Sequence, residues 1–457
     1  MNPFLDKIFK FPEKVAVIEG SSAHTYADLR SQKNSYLETL KNQIQPGEIV
    51  AILSDYSFYS IALFLALIEN KNIIVPIVPS LESEISDRLR EAFVDRTVIA
   101  SEAGLTWRST NDTRGKHELI HALQNTQASG LILFSSGSTG RPKAMIHNLD
   151  KVIDSFHDKS PKNLNMIVFL MFDHIGGINT LLNIFSMCAT CVIPQDRKNV
   201  DHICQLIAMY KINILPSSPT FLNLILVSDA HRKYDLSSLR MITYGTEVMP
   251  ASLLKRLKEV FPRTRFLQTF GTSETGISQT QSQSSGSLFM KLDDPNIEHK
   301  VVEGELWLKS QTQVLGYLNA SMESFTSDGW FKTGDLVETT PDGFLKIVGR
   351  NKDVINIGGQ KVLPSEIESI ILEMPEIIDA MVYGEKNSIT GQSVVCDVVI
   401  KPGIERGDVK RLIRSYCRSR LEPYKLPTKV TVVEQTNFGD RFKKIRLRPP
   451  TPPSGTP

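Results

Sequence analysis

Apolar residues recur with two different spacings through the first part of the chain. Up to about Pro194, segments with helical periodicity alternate with short runs of apolar and β-branched residues at positions 73–78, 131–134 and 166–172. Short apolar runs between amphipathic helical segments are typical of strands covered on both faces. The pattern therefore predicts an α/β fold, in which helices form doubly wound layers around open sheets.

Three more apolar runs, at positions 213–216, 240–244 and 266–270, continue this alternation. Gly245 and Gly271 follow the last two runs, each with polar residues behind it. Because open parallel sheets bind ligands just beyond the carboxyl ends of their strands, we expect a ligand site there.

From Gly304 onward the pattern changes to extended segments joined by turns. The segments are GELWLKS, GWFKTGDLVET and GFLKIVG, and Pro341-Asp342-Gly343 is a hairpin turn between the last two. Extended segments in such close succession predict a small β-barrel, or a distorted sheet, that closes the large domain.

The residues after Gly349 predict a compact α+β unit. It contains strands at 354–357, 394–400 and 428–434, a basic helix at 407–421, and a helix that Ser365 caps with Glu368 as its capping-box partner. The closing PPTPPSGTP is a poor candidate for packed structure. We therefore expect an N-terminal domain over 1–349, a small C-terminal domain over 350–448 and a disordered, proline-rich tail over 449–457.

Composition limits the classes of function without choosing one. The chain has 457 residues, 41% of them hydrophobic, and a formal net charge of +2, which gives no general reason to expect nucleic acid. The longest fully apolar run, at 61–68, is too short to span a bilayer, and residues 1–14 lack the apolar core of a signal peptide. We expect a cytoplasmic protein with no membrane span, whose five cysteines are buried free thiols.

The segment LILFSSGSTGRPKAMIHN, at positions 131–148, carries the strongest chemical signal, because a strand-like run opens into a polar loop. Hydroxyl groups, backbone N–H groups freed by glycine and a lysine ammonium are the groups that hold a phosphate. The candidate phosphate ligands are Ser135, Ser136, Gly137, Ser138, Thr139, Gly140 and Lys143.

This loop does not have the order of a P-loop. The lysine of a P-loop directly follows the last glycine and opens a helix, whereas an Arg-Pro step follows Gly140 here and the predicted helix cap, Asn148, comes later. The loop therefore joins two extended segments. In this respect the chain resembles, from about Thr25 to Arg446, the adenylate-forming superfamily of acyl-CoA ligases, nonribosomal adenylation domains and luciferases.

The resemblance implies that the bound nucleotide is ATP and that Mg²⁺ accompanies it. LQTFGTSETG, at positions 267–276, is similar to the superfamily's Y-G-x-T-E motif, with Phe270 at the aromatic position and Glu274 as the acid that helps to hold the metal. One glutamate beside a hydroxyl group is adequate for an ion that also binds phosphate oxygens.

Two further motifs would hold the nucleoside. The segment TYGTEVMP resembles the superfamily's adenine-binding turn, which places Gly245, Thr246 and Glu247 along the base. The segment WFKTGDLVE supplies Asp335, whose carboxylate is suited to accept both ribose hydroxyls. Arg350 would be a second ribose or phosphate contact.

In the superfamily the small domain rotates between an adenylation pose and an acyl-transfer pose, so the resemblance implies a mobile C-terminal domain. The pivot of the motif G-R-x-[DK]-D falls on Lys352. Gly358 and Gly359 would line the channel of the acyl acceptor in the second pose, where glycines leave room for a thin thiol arm.

In the first pose, one lysine of the small domain should reach the α-phosphate and the carboxylate. The superfamily motif G-K-x-x-R aligns with the sequence FKKIR here. This alignment assigns the role to Lys443 and places Phe442 at the usual glycine position. Lys444 takes this role if the register slips by one.

The segment FLMFDHIGGINTLL, at positions 169–182, matters most for the choice of acid and allows two alignments. As F-H-x-x-G, it places His174 at the gate of the acyl pocket, as in acyl-CoA ligases. As the F-D pair of amino-acid-activating domains, it offers Asp173 to a substrate ammonium, without which a buried carboxylate is costly. We favour an apolar or aromatic acid without an amino group, and the candidate pocket residues are Asp173, His174, Tyr244, Phe270, Gly271 and Thr272.

These motifs predict an ATP-dependent ligase that forms acyl-AMP and pyrophosphate from a carboxylic acid, with Lys443, Glu274 and His174 as candidate catalytic residues. The resemblance favours coenzyme A as the acyl acceptor. An amine, which would give an amide, or a carrier-protein thiol is the alternative acceptor. A nucleotide-binding homologue without turnover is an alternative from another class.

Positive charge near the C-terminus bears on the acceptor. Residues 441–448 form one basic cluster, and one stripe of the basic helix carries Lys410, Arg411, Arg414 and Arg418. The stripe is either a solvated face or a surface for a phosphorylated ligand such as coenzyme A or for an acidic carrier protein.

Overall fold

The computed structural model of the protein describes residues 3–135, 142–439 and 442–446. Within these ranges the chain forms two seven-stranded sheets, a six-stranded sheet, a five-stranded sheet and a two-stranded sheet. None of the described helices is both long and apolar enough to cross a membrane. All five cysteines are unpaired and buried, as predicted.

Helices and short strands alternate through the first 278 residues. In chain order, the elements up to residue 148 are α1 (Pro3–Ile8), β1 (Val15–Glu19), β2 (Ser22–Thr25), α2 (Tyr26–Gln43), β3 (Ile49–Ile52), α3 (Phe58–Glu69), β4 (Ile73–Pro76), α4 (Glu82–Glu91), β5 (Arg96–Ser101), β6 (Gly104–Ser109), α5 (Glu118–Asn125), β7 (Gly130–Ser135) and β8 (Lys143–Asn148). They continue with α6 (Leu149–Asp154), β9 (Asn165–Ile167), α7 (Ile175–Ser186), β10 (Thr190–Ile193), α8 (Val200–Tyr210), β11 (Ile214–Ser217), α9 (Pro219–Val227), α10 (Ala230–Lys233), β12 (Met241–Tyr244), α11 (Ala251–Val260), β13 (Arg265–Gln268), β14 (Phe270–Thr272) and β15 (Gly276–Ser278).

The two seven-stranded sheets have the orders β20-β8-β7-β4-β3-β5-β6 and β13-β12-β11-β9-β10-β1-β2, where β20 is Gly316–Tyr317. Their central pairs are parallel, as in β3 with β4 and β11 with β12. The apolar run at 61–68 lies in α3, which packs against strands of both sheets and is buried along its whole length. A helix that is apolar on every side belongs between layers, so α3 forms part of the central core.

Antiparallel strands follow in the order β16 (Thr280–Ser282), β17 (Met290–Leu292), β18 (Ile297–Val302), β19 (Glu305–Ser310), β20, β21 (Phe331–Thr339) and β22 (Leu345–Arg350). Six of them form the sheet β16-β17-β22-β21-β19-β18. This sheet ends at β16 and β18, so a distorted open sheet describes it better than a closed barrel. The predicted hairpin turn joins β21 to β22, and Gly343 takes the left-handed φ of 82° that the turn requires.

The C-terminal unit is built from β23 (Ile355–Ile357), β24 (Gln360–Val362), α12 (Pro364–Ile371), β25 (Ile377–Asn387), β26 (Gly391–Ile400), α13 (Val409–Arg418) and β27 (Lys429–Val432). The predicted strands and the basic helix are present with ends shifted by a few residues. The predicted tail at 449–457 lies outside the described residues, and the boundary between residues 349 and 350 stays a prediction.

The predicted capping box of α12 is wrong. The helix begins at Pro364, directly after Leu363, and the Ser365 hydroxyl donates instead to the carbonyl of Val348. Glu368 accepts from the backbone N–H of Val382 at 2.8 Å and pairs with Arg446. Tertiary partners thus took both side chains that the local pattern assigned to a cap.

Candidate active site

A cavity of about 790 Å³ opens at the carboxyl ends of β11, β12 and β13, where it is lined by Ser217, Gly245 and Thr269. Ser135 and Lys143, from β7 and β8 of the other seven-stranded sheet, also line it. A smaller cavity of about 130 Å³ adjoins it and shares several wall residues. The position agrees with the ligand site expected beyond these strands.

Strand pairing fixes the two ends of the polar loop. Ser135 and Lys143 are register partners in the antiparallel pair of β7 and β8, so the loop joins extended segments as predicted. Asn319 fixes the second end, since its side chain accepts from the Ala144 N–H at 2.8 Å and donates to the Pro142 carbonyl at 3.0 Å. The candidate ligands that lie outside the described residues are Ser136, Gly137, Ser138, Thr139 and Gly140.

Lys143, Tyr317 and Glu274 lie together on the wall of the larger cavity. The Lys143 ammonium is 4.8 Å from the centre of the Tyr317 ring, and the Tyr317 hydroxyl donates to Glu274 Oε1 at 2.9 Å. Burial, reinforced by Glu274, raises the pKa of Tyr317, which therefore remains a neutral donor. Tyr317 reaches this position because β20 pairs with β8, opposite Met145. No local pattern in the sequence marked Tyr317 or Asn319.

The donor set at Glu274 fits a divalent cation held together with phosphate. Thr272 and Ser273 line the cavity beside the carboxylate and add hydroxyl oxygens. In the described ranges, no group of three or more His, Cys, Asp or Glu residues is arranged to hold a metal ion. Mg²⁺ is commonly bound by one or two carboxylates and by substrate phosphates, so a single glutamate is compatible with it.

Asp335 and Arg350 form a cross-strand pair on β21 and β22. Arg350 Nε donates to Asp335 Oδ1 at 2.7 Å, and Asp335 is only 3% exposed. Burial raises the pKa of Asp335, against the opposing effects of Arg350 and Lys443. Its other oxygen, Oδ2, is buried with no hydrogen-bond partner among the described residues. A buried acceptor on the wall of the smaller cavity suits the hydroxyl groups of a ligand.

The turn predicted to contact adenine lies between the two cavities. Gly245 and Thr246 line both of them, and Glu247 lines the smaller one. The Glu247 carboxylate accepts from the Thr220 hydroxyl at 2.6 Å and from the backbone N–H of Lys444 at 2.6 Å. The second bond ties the end of the chain to the N-terminal domain.

Lys443 and Lys444 point in different directions. Lys443 lines both cavities. Lys444 turns to the C-terminal domain, where its ammonium donates to Asp379 at 2.8 Å and to the Ala380 carbonyl at 2.7 Å. The geometry therefore favours the register in which Lys443 meets the substrates.

Burial lowers the pKa of Lys443 to about 8, and Arg350 and Lys352 act in the same direction. We expect kcat/KM for ATP to fall as the pH rises through about 8, because only the ammonium form attracts phosphate. Lys443→Arg keeps its charge at every pH used and should lose this alkaline limb. An unchanged limb in that variant would assign the titration to another group.

Phe442 takes the place that the superfamily motif gives to glycine, and its backbone has the left-handed φ of 49°. The side chain is 2% exposed and packs into the core of the N-terminal domain. Its ring centre lies 5.3 Å from that of Phe169, 5.1 Å from that of Phe221 and 5.5 Å from that of Phe438. The residue before Lys443 is thus held by aromatic packing.

His174 lies at the start of α7 and lines the larger cavity. Its Nδ1 accepts from the Gly176 N–H at 3.0 Å, which fixes the ring as the helix cap. Phe270, Gly271 and Thr272 line the same cavity, and their place in an acyl pocket stays a prediction.

Tyr244 does not occupy its predicted place. Its ring packs in the apolar core of the N-terminal domain, and burial raises its pKa. Side chains alternate across a strand, so Thr243 and Met241 face the cavity from β12 where Tyr244 was expected.

Asp173 also departs from its predicted role. It is buried, and its carboxylate accepts from Arg88 Nη1 of α4 at 3.1 Å. The cationic partner of this carboxylate therefore comes from the protein itself. Because Asp173 already has a cationic partner, the alignment that offered it to a substrate ammonium no longer gives a reason to expect an amino acid as the substrate.

Of the predicted hinge and acceptor residues, only Lys352 lines a cavity. Lys352 belongs to the 3₁₀ turn Asn351–Asp353 and lines the larger cavity. Gly358 and Gly359 form the turn between β23 and β24, with left-handed φ values of 57° and 90° and open space where a Cβ would lie. Their roles stay predictions.

The fold and the two cavities agree with an enzyme built from a large N-terminal and a small C-terminal domain. The family model of the AMP-binding enzyme matches residues 4–318, and that of the AMP-binding enzyme C-terminal domain matches residues 366–437. The chain belongs to this AMP-binding enzyme family. Membership confirms the resemblance to the adenylate-forming superfamily and the prediction of an AMP-forming acid ligase.

The similarity to known proteins covers most of the chain. The "4-coumarate--CoA ligase-like 9" of Arabidopsis thaliana is 26% identical over an alignment of 463 residues. The alignment covers 90% of this chain and 81% of that protein. The structure of an anthranilate CoA ligase in complex with anthranoyl-AMP has a TM-score of 0.82 at 20% identity and covers 97% of this chain and 95% of its own. An amide bond synthetase from Marinactinospora thermotolerans has a TM-score of 0.73 at 20% identity and covers 95% and 96%. The similar structures confirm the α/β fold with a large N-terminal and a small C-terminal domain.

Proposed function

We propose that the protein uses ATP and Mg²⁺ to activate an apolar or aromatic carboxylic acid and then transfers the acyl group to coenzyme A. In the first step a carboxylate oxygen attacks the α-phosphorus of ATP, the bond to pyrophosphate breaks, and acyl-AMP forms. In the second step the thiol sulfur attacks the acyl carbonyl carbon, its proton is lost, and AMP leaves.

The observation that carries this proposal is the convergence of Lys443 and Lys143 on one cavity. Two anions must meet for the first step, and positioned cations stabilise the charge that develops as pyrophosphate leaves. Lys143 and the loop before it would hold the outer phosphates, and Lys443 would lie at the α-phosphate and the carboxylate. Glu274 would hold Mg²⁺, which supplies further positive charge when bound.

The nucleoside and the acid would bind to different parts of the two cavities. Asp335 Oδ2 would accept the ribose hydroxyls, and Gly245, Thr246 and Glu247 would border the adenine. The larger cavity continues along α7 past apolar side chains that suit an apolar or aromatic acid, including Met166, Leu170 and Ile175. His174 would lie at the entrance to this part.

Two observations bear on the acceptor. The curated relative named above is a CoA-ligase-like protein, which favours coenzyme A. The similarity to an amide bond synthetase keeps an amine acceptor as the second candidate. A carrier-protein thiol is chemically equivalent to coenzyme A at the sulfur, and the basic stripe on α13 would suit either. A homologue without turnover would not need Lys443 on the cavity wall.

The test is carboxylate-dependent release of pyrophosphate over a panel of acids, followed by mass spectrometry with coenzyme A, pantetheinylated carrier protein or amines added separately. We expect acyl-AMP with apolar or aromatic acids and a thioester with coenzyme A. Release of no pyrophosphate with any acid would contradict the proposed reaction. Acyl-AMP that gives an amide but no thioester would contradict only the proposed acceptor.

A further inference from the structure

The larger cavity extends along α7 away from His174. Asn179, Asn183 and Met187 line it on successive turns of the helix or directly after it. Asn183 follows His174 by nine residues, a distance of about 13 Å along a helix axis at 1.5 Å per residue. A long acid whose carboxylate reacts near His174 would therefore bring its other end towards Asn183.

Polar groups stand among apolar ones at this far end. Lys159 and Asn183 line it together with the apolar Phe156 and Met187, whereas Leu170 and Ile175 line the cavity near His174. The Lys159 ammonium donates to Asn183 Oδ1 and lies 4.9 Å from the centre of the buried Phe156 ring. The amide and the ring hold the cation in place on the wall.

The charges around Lys159 leave the far end positive. Burial lowers the pKa of Lys159 to about 8, Lys162 and Lys7 act in the same direction, and Asp294 opposes them. The Asp294 carboxylate lines the cavity but accepts the backbone N–H groups of Gln279 and Asn296, at 2.9 Å and 3.0 Å. Both carboxylate oxygens of Asp294 are therefore engaged by backbone N–H groups.

A wholly apolar acid matches this end poorly. It would cover the Lys159 ammonium and the Asn183 amide and remove them from water without offering new partners, which is unfavourable for a cation. An anionic oxygen group at the end of the acid would accept from the ammonium in a charge-assisted hydrogen bond. Sites built around polar groups reject ligands that leave those groups unpaired.

We infer that Lys159 is a specificity-determining residue, and that the preferred acid is a dicarboxylic acid whose second carboxylate is bound by Lys159 at the far end of the cavity. The inference rests on the proposed function and narrows its substrate class. The body of the acid stays apolar or aromatic, and only its far end is charged.

The experiment compares matched acids that share a carbon skeleton and end in a carboxylate, a primary amide or a methyl group, in lengths up to about 13 Å. The rate of pyrophosphate release gives kcat/KM for each acid. We expect the dicarboxylate of the fitting length to exceed its methyl analogue by about 10- to 100-fold, the range of a hydrogen bond to a charged group.

Lys159→Met should abolish or invert this preference, mainly through KM, and Lys159→Arg should retain it. Lys162→Met is the matched control, because Lys162 is an exposed lysine near Lys159 that does not line the cavity, and its loss should change the preference far less than Lys159→Met does. Equal kcat/KM for the carboxylate and methyl acids in the wild type, or an unchanged ratio in Lys159→Met, would overturn the inference while leaving acid activation intact. Failure of every acid to release pyrophosphate would instead overturn the proposed function.

Discussion

Replacing Lys443 with alanine should lower the rate of pyrophosphate release by about 100- to 1,000-fold, the usual effect of removing one preorganised group that stabilises developing charge. Lys443 is the cation that the C-terminal segment contributes to the wall shared by both cavities. Its loss should lower kcat more than it raises KM for the acid, because the charge it stabilises develops in the transition state.

Lys444→Ala is the matched comparison, because the two lysines are adjacent and only one lines the larger cavity. Lys444 pairs with Asp379, so its loss leaves a carboxylate without this cation and should lower the free energy of unfolding by about 3 kcal/mol. Thermal unfolding measured beside the kinetics separates the two effects. A folded Lys444→Ala that fails to release pyrophosphate, beside an active Lys443→Ala, would contradict the register and assign the catalytic role to Lys444.

Replacing Phe442 with alanine should slow pyrophosphate release by about 100-fold, since a displacement of about 1 Å at reacting groups costs that much. The buried ring holds the residue next to Lys443 against Phe169 and Phe221 of the N-terminal domain. Burial of a phenyl ring in such a cluster contributes about 3 to 5 kcal/mol. Without the ring, the bond that the Lys444 N–H donates to Glu247 would remain as a tie between this segment and the N-terminal domain.

Phe442→Gly separates packing from backbone conformation. A left-handed φ of 49° costs a residue with a side chain about 1 to 2 kcal/mol, and glycine avoids this cost. Both the glycine and the alanine variant lack the phenyl ring. If packing positions Lys443, the glycine and alanine variants should both release pyrophosphate slowly. Full activity of the glycine variant would show that the ring has no positioning role.

The same two variants test what the ring does to the second step. Any pose that withdraws Lys443 from the cavity must also withdraw the Phe442 ring from its apolar contacts. When acyl-AMP is supplied directly with coenzyme A, the variants should therefore form thioester at least as fast as the wild type. Slower transfer in both variants would contradict this expectation, and Phe438→Ala, which removes a ring that is less buried, serves as the control.

Features whose partners are close in the sequence could be predicted. Asn148 caps α6 by accepting from the Lys151 N–H at 3.1 Å, as its position before a helical segment indicated. The Pro341-Asp342-Gly343 turn and the extended ends of the polar loop were equally local. In each case the residues that decide the conformation lie within a few positions of one another, so pattern and propensity were sufficient.

Features with distant partners were missed or misassigned. Tyr317 meets Glu274 because β20 pairs with β8 across more than a third of the chain, and Asn319 accepts from the Ala144 N–H across a similar separation. Ser365 and Glu368 match a capping box locally, but Val348 and Arg446 compete for them successfully. Local propensity loses to buried tertiary hydrogen bonds and ion pairs because those partners cannot be satisfied by water.

The sequence by itself determined the class of chemistry. The polar loop, the LQTFGTSETG segment with Glu274, Asp335 and the FKKIR segment each carry the necessary groups in a short motif that can be recognised without the fold. The tertiary structure decided which of those groups meet. It turned Lys443 to the larger cavity and Lys444 to Asp379, paired Asp173 with Arg88, and placed Lys159 on the wall of the larger cavity beside Asn183. Direction and burial depend on packing between residues far apart in the chain, and no local pattern encodes them.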